Sequence, residues 1–450
     1  MNFTDLNLGR SLLNALTDLN ITEPTAIQAK TFGPIMAGKD VVGIAQTGTG
    51  KTFAYLLPSL RLWKFTKSPN PQILVVVPTR ELVAQVVEAA QQLTEYMNVE
   101  VVGVYGGTNI RTQKAEVEVG VDVLVGTPGR LVDLMADGVL KTKQLRQVVI
   151  DEVDEMLNLG FRTQLRNIIE YLPKKRQHLM FSATLTDEVE LIIQEFTDYY
   201  EKIEAAPSGA PLENIEQYAY SIPNFNSKAN LLELLLQQKT EMAKVLVFAK
   251  TKKMADALYE RLEPSFPENL GIIHSSKSQN NRFATVDNFQ NGTYRCLVAT
   301  DIIARGLDVS SVTHVINFDL PDTPEQYIHR IGRTGRAERK GITLAFVSEA
   351  DQEYLQEIEK LMGLTLETLP LPEDVELSEE LIQLEKPSLY VPFNEHKNRV
   401  YVPTGPAFHE KKAKNTKVNK KIRRAEKMRL KYGKPQTRGD KRKKKKSVLG

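Results

Sequence analysis

Two successive series of short apolar runs, each run followed by a loop or a stretch of helical periodicity, constrain this chain more than any other feature. The first series comprises Asp40–Ile44, Ile73–Val77, Val101–Tyr105, Asp122–Val125, Gln147–Ile150 and His178–Phe181. The second comprises Lys244–Phe248, Gly271–Ile273, Arg295–Ala299, Val312–Phe318 and Ile342–Phe346. Most are rich in Val and Ile and do not alternate apolar with polar residues. A strand solvated on one face alternates with period two, whereas a strand covered on both faces is apolar throughout. The pattern predicts an α/β chain with two tandem parallel-sheet units, over about 40–205 and 217–365. Between them Ala205–Leu212, with two prolines and a glycine, reads as a linker, bounded at 207–216. From Leu369 onward Pro370, Pro372, Pro387, Pro392, Pro403 and Pro406 break the pattern, so 369–410 reads as an irregular connector. Ligands of open α/β sheets bind outside the carboxyl ends of the strands. A site is therefore expected there, in the cleft between the units.

Charge divides the chain again. Residues 411–450 hold 19 Lys and Arg against Glu426 and Asp440, a net of +17. Of the chain's 59 basic and 56 acidic side chains, the other 410 residues keep 40 and 54, a net of −14. A segment as basic as 411–450 cannot bury enough apolar surface to fold alone, and reads as a disordered tether for a polyanion. It carries one aromatic, Tyr432, so phosphate contacts rather than base stacking would hold the polyanion. No run approaches the ~18 apolar residues of a membrane span. MNFTDLNLGR lacks the basic-then-apolar order of a secretory signal. Cys296, the single cysteine, excludes an internal disulfide framework and cysteine-cluster metal sites. These features predict a cytoplasmic protein.

Directly after the first strand stands Ala45-Gln46-Thr47-Gly48-Thr49-Gly50-Lys51-Thr52, and a helical segment follows. Glycines let backbone N–H groups approach phosphates, and the helix N-terminus adds positive potential. Lys51 is expected to reach the β/γ-phosphates and the Thr52 hydroxyl to ligand Mg²⁺. Ala45 stands where this loop usually begins with glycine. The fifth strand runs straight into Asp151-Glu152-Val153-Asp154. Asp151 is placed to hold the Mg²⁺ shell and Glu152 to polarise an attacking water. Asp154 and Glu155 suit a simple helix N-terminus, where the dipole favours acids. The residues therefore predict a nucleoside triphosphate site.

With these motifs the chain resembles the DEAD-box RNA helicases, of bacterial type with a basic C-terminal extension, from Phe3 to about residue 365. The box here reads Asp-Glu-Val-Asp. The family has two RecA-like domains, which the resemblance places at 30–206 (ATP-binding) and 217–368, with 1–29 as the adenine-reading region. There Phe3 would stack on the base, Pro24-Thr25-Ala26-Ile27-Gln28 would form the Q motif, and Thr25 and Gln28 would bind the nucleotide. Asn20-Ile21 replaces the family's Gly-aromatic pair, and Asn tolerates the left-handed turn needed. Pro78-Thr79-Arg80, Gly106-Gly107 and Thr127-Pro128-Gly129-Arg130 match the segments that grip RNA, as do Thr251, Arg282 and Thr300 in the second half. Ser182-Ala183-Thr184 resembles the motif coupling hydrolysis to domain movement. Asp308 would contact the ATP ribose, and His329-Arg330-Ile331-Gly332-Arg333-Thr334-Gly335-Arg336 matches the arginine-finger motif, with Arg333 and Arg336 on the transferring phosphoryl group. The resemblance implies a monomeric, RNA-stimulated ATPase that uses ATP and Mg²⁺. It would remodel duplex or structured RNA without reading sequence, with ribosomal or RNA-degradation complexes as partners. An ATP-gated RNA clamp with little strand separation carries the same motifs.

Overall fold

The computed structural model describes residues 2–46, 48–204, 214–238, 241–301, 312–335 and 340–386. Expectations for Thr47, Asp308, Arg336, most of the linker, the connector beyond 386 and the basic tail fall outside these residues. The first sheet contains β1 (Val41–Ile44), β2 (Ile73–Val76), β3 (Val101–Val104), β4 (Val123–Gly126), β5 (Gln147–Ile150), β6 (Gln177–Ser182) and β7 (Glu201–Glu204). The second contains β8 (Ile215–Ser221), β9 (Val245–Phe248), β10 (Leu270–Ile273), β11 (Cys296–Ala299), β12 (His314–Asn317), β13 (Gly341–Val347) and β14 (Glu367–Thr368). Their spatial orders are β3-β4-β2-β5-β6-β1-β7 and β10-β11-β9-β12-β13-β8-β14. All pairings are parallel. Numbered within its own lobe, each sheet has the same order, so the second lobe repeats the winding of the first. Both lobes lie within one compact unit.

Each sheet is covered by helices on both faces. Val41, Ile73, Val75, Val123 and Val125 pack into one apolar layer, and their chain neighbours Val42, Ile44, Leu74, Val76 and Leu124 into the opposite one. Side chains alternate in space, but both destinations are apolar, so the sequence shows no alternation. The helices start where local chemistry satisfies their first N–H groups. Thr79, Thr186, Thr251 and Ser278 side chains accept from the residue three further on, and Pro128 and Pro324 open two others.

Three strands were not legible in the apolar pattern. β7 is an edge strand of sequence EKIE that buries only Ile203. β8 mixes Glu216, Gln217, Tyr218 and Tyr220 with its apolar residues, and β14 is two residues long. The part of the connector in view, 369–386, is irregular as expected, yet it is docked. Leu369, Leu371, Val375 and Ile382 pack on the second lobe's core. Asn226 and Asn230 donate to the carbonyls of Glu380 and Glu376, and Glu385 accepts from the Phe225 N–H at 2.6 Å.

The strand order also sorts the expected site residues. In the first lobe β5, β6 and β1 are adjacent, and their carboxyl ends carry Asp151, Ser182 and the glycine-rich loop. The ends of β3, β4 and β2 carry Gly106-Gly107, Thr127 and Thr79-Arg80. One half of the sheet edge thus presents the residues expected to bind nucleotide and the other half those expected to bind RNA.

Candidate nucleotide and RNA site

The loop after β1 is shaped by its glycines. Gly48 and Gly50 have φ of 84° and 88°, a region that glycine enters without the penalty paid by other residues. A Cβ on Gly50 would also run into the Gln28 amide. Thr49 closes the loop by donating its hydroxyl to the Gln46 carbonyl at 2.7 Å. Gly50 caps the helix Lys51–Leu62. Lys51, at its first position, is 6% exposed, and its ammonium has no hydrogen-bond partner among the described residues. A buried, unmatched cation is costly unless an anion comes to it.

Facing it, Asp151 leaves the end of β5 and is 4% exposed. Burial pushes its carboxyl up to about 6, against the pull of Lys51, and the neighbouring Glu152 adds to the rise. Tyr55, buried beneath, has its phenol raised well above the usual range by burial and by the Asp151 charge. Glu152 has φ of 56°, one of four non-glycine residues with positive φ among the described residues. Such conformations cluster where a fold holds a functional side chain. Its N–H donates to Asp151 Oδ1 at 2.9 Å.

Asp154 corrects the expectation of a plain helix-end acid. Its Oδ2 accepts from the N–H groups of Ala183 (3.2 Å) and Thr184 (3.0 Å) and from the Thr184 hydroxyl (3.0 Å). Its own N–H donates to Ser182 Oγ at 3.3 Å. From the second lobe, His329 Nε2 lies 3.4 Å from the same Oδ2. Burial alone would raise its pKa, but His329, Lys51 and Thr184 hold it well below the ordinary carboxylate range. Asp154 therefore joins the Asp-Glu-Val-Asp segment, the Ser-Ala-Thr segment and the second lobe. An acid in a first helical turn gives no sign of this in sequence.

A cavity of about 760 Å³ collects Thr25, Gln28, Gly48, Gly50, Lys51, Thr52, Asp151 and Glu152 from the first lobe with Arg333 from the second. Arg333 is 4% exposed and donates Nε to the His329 carbonyl at 3.3 Å. Arg330, in the same motif, is instead structural. It pairs in bidentate fashion with Asp301 (2.6 and 2.7 Å), donates to Asn317 and the Asp319 carbonyl, and lies over the Phe248 ring.

The base-reading residues divide. Gln28 accepts from the Thr25 N–H and donates to the Gly50 carbonyl, both at 3.0 Å, which ties this segment to the phosphate loop. Asn20 does adopt the left-handed turn, with φ of 56°. Phe3 is corrected: it is 3% exposed within the first lobe's core, its faces taken by packing, and Ile21 lines the cavity instead. The span from Phe3 to Gln28 carries no spacing signal that separates a stacking ring from a core ring.

Among the RNA residues, Thr79 and Thr251 cap equivalent helices, three residues past the ends of β2 and β9. Thr127 and Thr300 immediately follow β4 and β11. Gly107, with φ of 78°, sits against Arg80 so closely that any side chain would meet the guanidinium. Two arginines depart from expectation. Arg130 is 6% exposed and spends its guanidinium on the Gln113 side chain and the Thr108 carbonyl, so it braces the Gly106-Gly107 loop rather than offering itself to a phosphate. Arg282 forms an ion pair with Glu81 of the first lobe, both largely buried, and so bridges the lobes. Both partners are distant in sequence, which is why the cation was legible and its role was not.

Comparison with known proteins agrees with this geometry. Residues 25–192 match the DEAD/DEAH box helicase model and residues 227–338 the helicase conserved C-terminal domain. The DEAD-box ATP-dependent RNA helicase CshA of Geobacillus kaustophilus (strain HTA426) is 39% identical over 370 residues, 82% of this chain and 78% of its own. The ATP-dependent RNA helicase DbpA of Bacillus subtilis (strain 168) is 34% identical over 424 residues, 93% of this chain and 84% of its own. Among solved structures, S. cerevisiae Dbp5 bound to RNA and ADP BeF3 superposes with a TM-score of 0.76 at 28% identity, covering 82% of this chain and 95% of that one.

Proposed function

The chain belongs to the DEAD/DEAH box helicases, ATP-hydrolysing enzymes that act on RNA, and from that premise we propose how its cleft works. ATP lies with its phosphates on the 45–52 loop, where the unmatched Lys51 ammonium meets the β/γ-phosphates. Thr52 and Asp151 would hold Mg²⁺. The buried Asp151 carboxyl, at the end of β5 on the wall of the same cavity as Lys51 and Thr52, suits that role. Bound there, Mg²⁺ supplies neutralisation of the charge developing on the phosphate oxygens. Glu152, fixed by its left-handed backbone, orients and polarises the attacking water. Arg333 stabilises the transferring phosphoryl group from the second lobe, with Arg336 as a second finger and Asp308 on the ribose.

RNA runs over the ends of β2, β3 and β4 and onto those of β9 and β11. Pro78, Thr79, Arg80, Gly106, Gly107, Thr127, Pro128 and Gly129 meet it first, then Thr251 and Thr300. Because the threonines recur at matching positions of the two lobes, one strand of RNA finds two similar grips only when the lobes close. RNA binding therefore favours the closed state by differential affinity, and that same state brings Arg333 to the phosphates. The observation that carries this reading is the shared cavity with Lys51, Asp151, Glu152 and Arg333 on its walls. Residues 30–206 and 217–368 serve as the two lobes, and the protein acts as a cytoplasmic monomer on structured RNA in ribosomal or RNA-degradation assemblies. The test is Glu152→Gln, which should keep ATP and RNA affinity while nearly abolishing RNA-stimulated turnover. Turnover at the original rate would remove Glu152 from the water-activating role.

A further inference from the structure

At the opposite, amino-terminal edge of the first sheet, three neighbouring loops carry a charge unlike the rest of the body. Segments 63–72, 141–146 and 171–176 precede β2, β5 and β6, which are adjacent strands. Together they hold eight Lys and Arg and no acid, in a body of net −14. Seven are exposed: Lys64 and Lys67 from the first loop, Lys141, Lys143 and Arg146 from the second, Lys174 and Lys175 from the third. None of the seven is in an ion pair among the described residues, so the charge is not cancelled locally. The loops are tied side by side. Arg146 N–H donates to the Gln72 carbonyl and Gln177 N–H to the Arg146 carbonyl, both at 2.8 Å, and the Thr142 hydroxyl donates to the Tyr171 carbonyl at 2.5 Å.

Aromatic surface is interleaved with this charge. Phe65 is 65% exposed and Tyr171 41% exposed, beside the lysines of their loops. Between the first two loops opens a cavity of about 240 Å³, walled by Trp63 and rimmed by Lys64 and Arg146. Gln72 and Ser59 also line it, and the Gln72 Oε1 and Ser59 hydroxyl are buried without a hydrogen-bond partner among the described residues. A group with an N–H edge, a flat face and a nearby phosphate would satisfy the amide, the indole and the rim together.

We infer that this edge is a second contact surface for single-stranded RNA, with an unstacked base entering the Trp63 cavity and flanking phosphates on the three loops. Positive grooves with stacking aromatics are how proteins hold single strands without reading sequence. The surface is separate from the cleft: β5 carries Gln147 at this edge and leads to Asp151 at the other, about 13 Å away at ~3.3 Å per residue. The inference rests on the reading of the chain as RNA-acting only for the identity of the ligand. It makes the lobe a two-sided binder, which engages a long RNA in the cleft and again behind it.

The experiment uses the full chain and the variant Lys64→Glu/Lys143→Glu/Lys174→Glu, with one exposed residue changed in each loop. Salt titrations compare a long unstructured RNA with a short oligoribonucleotide that only fills the cleft. The variant should bind the long RNA at least about tenfold more weakly at low salt, and its slope of log K against log salt should shrink by about 2, at roughly 0.7 per phosphate contact. Affinity for the short RNA, and the ATP turnover it stimulates, should stay unchanged, which separates this inference from the assignment of the cleft. Trp63, the single tryptophan, should also be quenched by the long RNA and not by the short one. Equal slopes for variant and parent, or a loss shared by the short RNA, would overturn it. So would a Trp63 signal indifferent to RNA length. A basic edge that serves an acidic protein instead would leave both RNA titrations unmoved.

Discussion

Lys51 and Lys228 are buried lysines in the first turns of matching helices in two lobes of the same winding, Lys51 at the first position of Lys51–Leu62 and Lys228 at the fourth of Phe225–Gln238. Each lies seven residues beyond the last residue of its lobe's first strand, and each is buried. In the first lobe the ammonium has no hydrogen-bond partner among the described residues, although its charge acts on Asp151 and Asp154, and a glycine-rich loop precedes it. In the second lobe the corresponding turn is Ile222-Pro223-Asn224-Phe225, with no glycine. Lys228 Nζ is held 3.3 Å from Asp351 and 3.6 Å from Asp319, over the Phe318 ring. Asp319 follows β12 much as Asp151 follows β5. The second lobe thus holds its lysine in direct ion pairs, whereas Lys51 makes no hydrogen bond among the described residues. Identical topology does not carry the chemistry; on the proposed reading, what distinguishes a phosphate site from a structural ion pair is whether the buried lysine is already held in direct ion pairs. On that reading the second lobe contributes instead through Arg333, two residues past the helix Pro324–Ile331 that follows β12 and carries His329.

Exchanging these roles by mutation is the strongest way to break the comparison. Lys51→Ala should cost at least about a hundredfold in RNA-stimulated turnover, with a smaller loss of stability than Lys228→Ala, since Lys51 makes no hydrogen bond among the described residues. Lys228→Ala should behave in the opposite sense. It leaves Asp319 and Asp351 uncompensated and should cost about 3–5 kcal/mol of stability, while the folded fraction keeps its turnover. ATPase assays beside urea titrations decide, and equal behaviour of the two variants would contradict the comparison.

A pH series sharpens it. Asp151 has its folded-state pKa raised from 3.8 to about 6. The stability linked to its protonated form is therefore complete below pH ~4 and lost as pH rises through about 6. Asp151→Asn, free of ligand, should gain up to about 3 kcal/mol at pH 8, at roughly 1.4 kcal/mol for each pKa unit. That gain should vanish near pH 4. Asp319→Asn, on the paired side, should instead lose stability, because it takes an anion from Lys228. A variant of Asp151 with no gain at high pH would mean that the first lobe is not held open for a cation.

The smallest expected effect concerns the bridge between lobes. Arg282→Ala and Glu81→Ala should each weaken RNA binding in the presence of a non-hydrolysable ATP analogue. Their double variant should be no worse than either alone, a coupling of about 0.5–3 kcal/mol. If Arg282 instead holds RNA directly, the two effects will add.

The sequence was most informative where burial is two-sided. β1, β2, β4 and β5 are buried at every residue, and each run could be found without an alignment. β7 escaped because an edge strand with one buried residue has no such signature. Motifs made of consecutive residues, such as Gly48 to Thr52 or Asp151-Glu152, come together on one cavity wall as the sequence leads one to expect, because a single loop carries each. Asp154, Arg130 and Arg282 were misjudged because their partners, His329, Thr108 and Glu81, are set by the fold. Phe3 was misjudged because an aromatic ring fills a core and a base pocket by the same physics.

The central claim is that the nucleotide site is complete only when Arg333 reaches it from the second lobe. Steady-state turnover and ATP affinity of Arg333→Ala, measured at saturating RNA, test it directly. ATP affinity should change little, because the 45–52 loop and Lys51 are intact, while kcat should fall by roughly 10³–10⁵, the contribution of an arginine finger. Turnover at the parent rate in that variant would show that the first lobe hydrolyses ATP unaided, and the two-lobe account would fail.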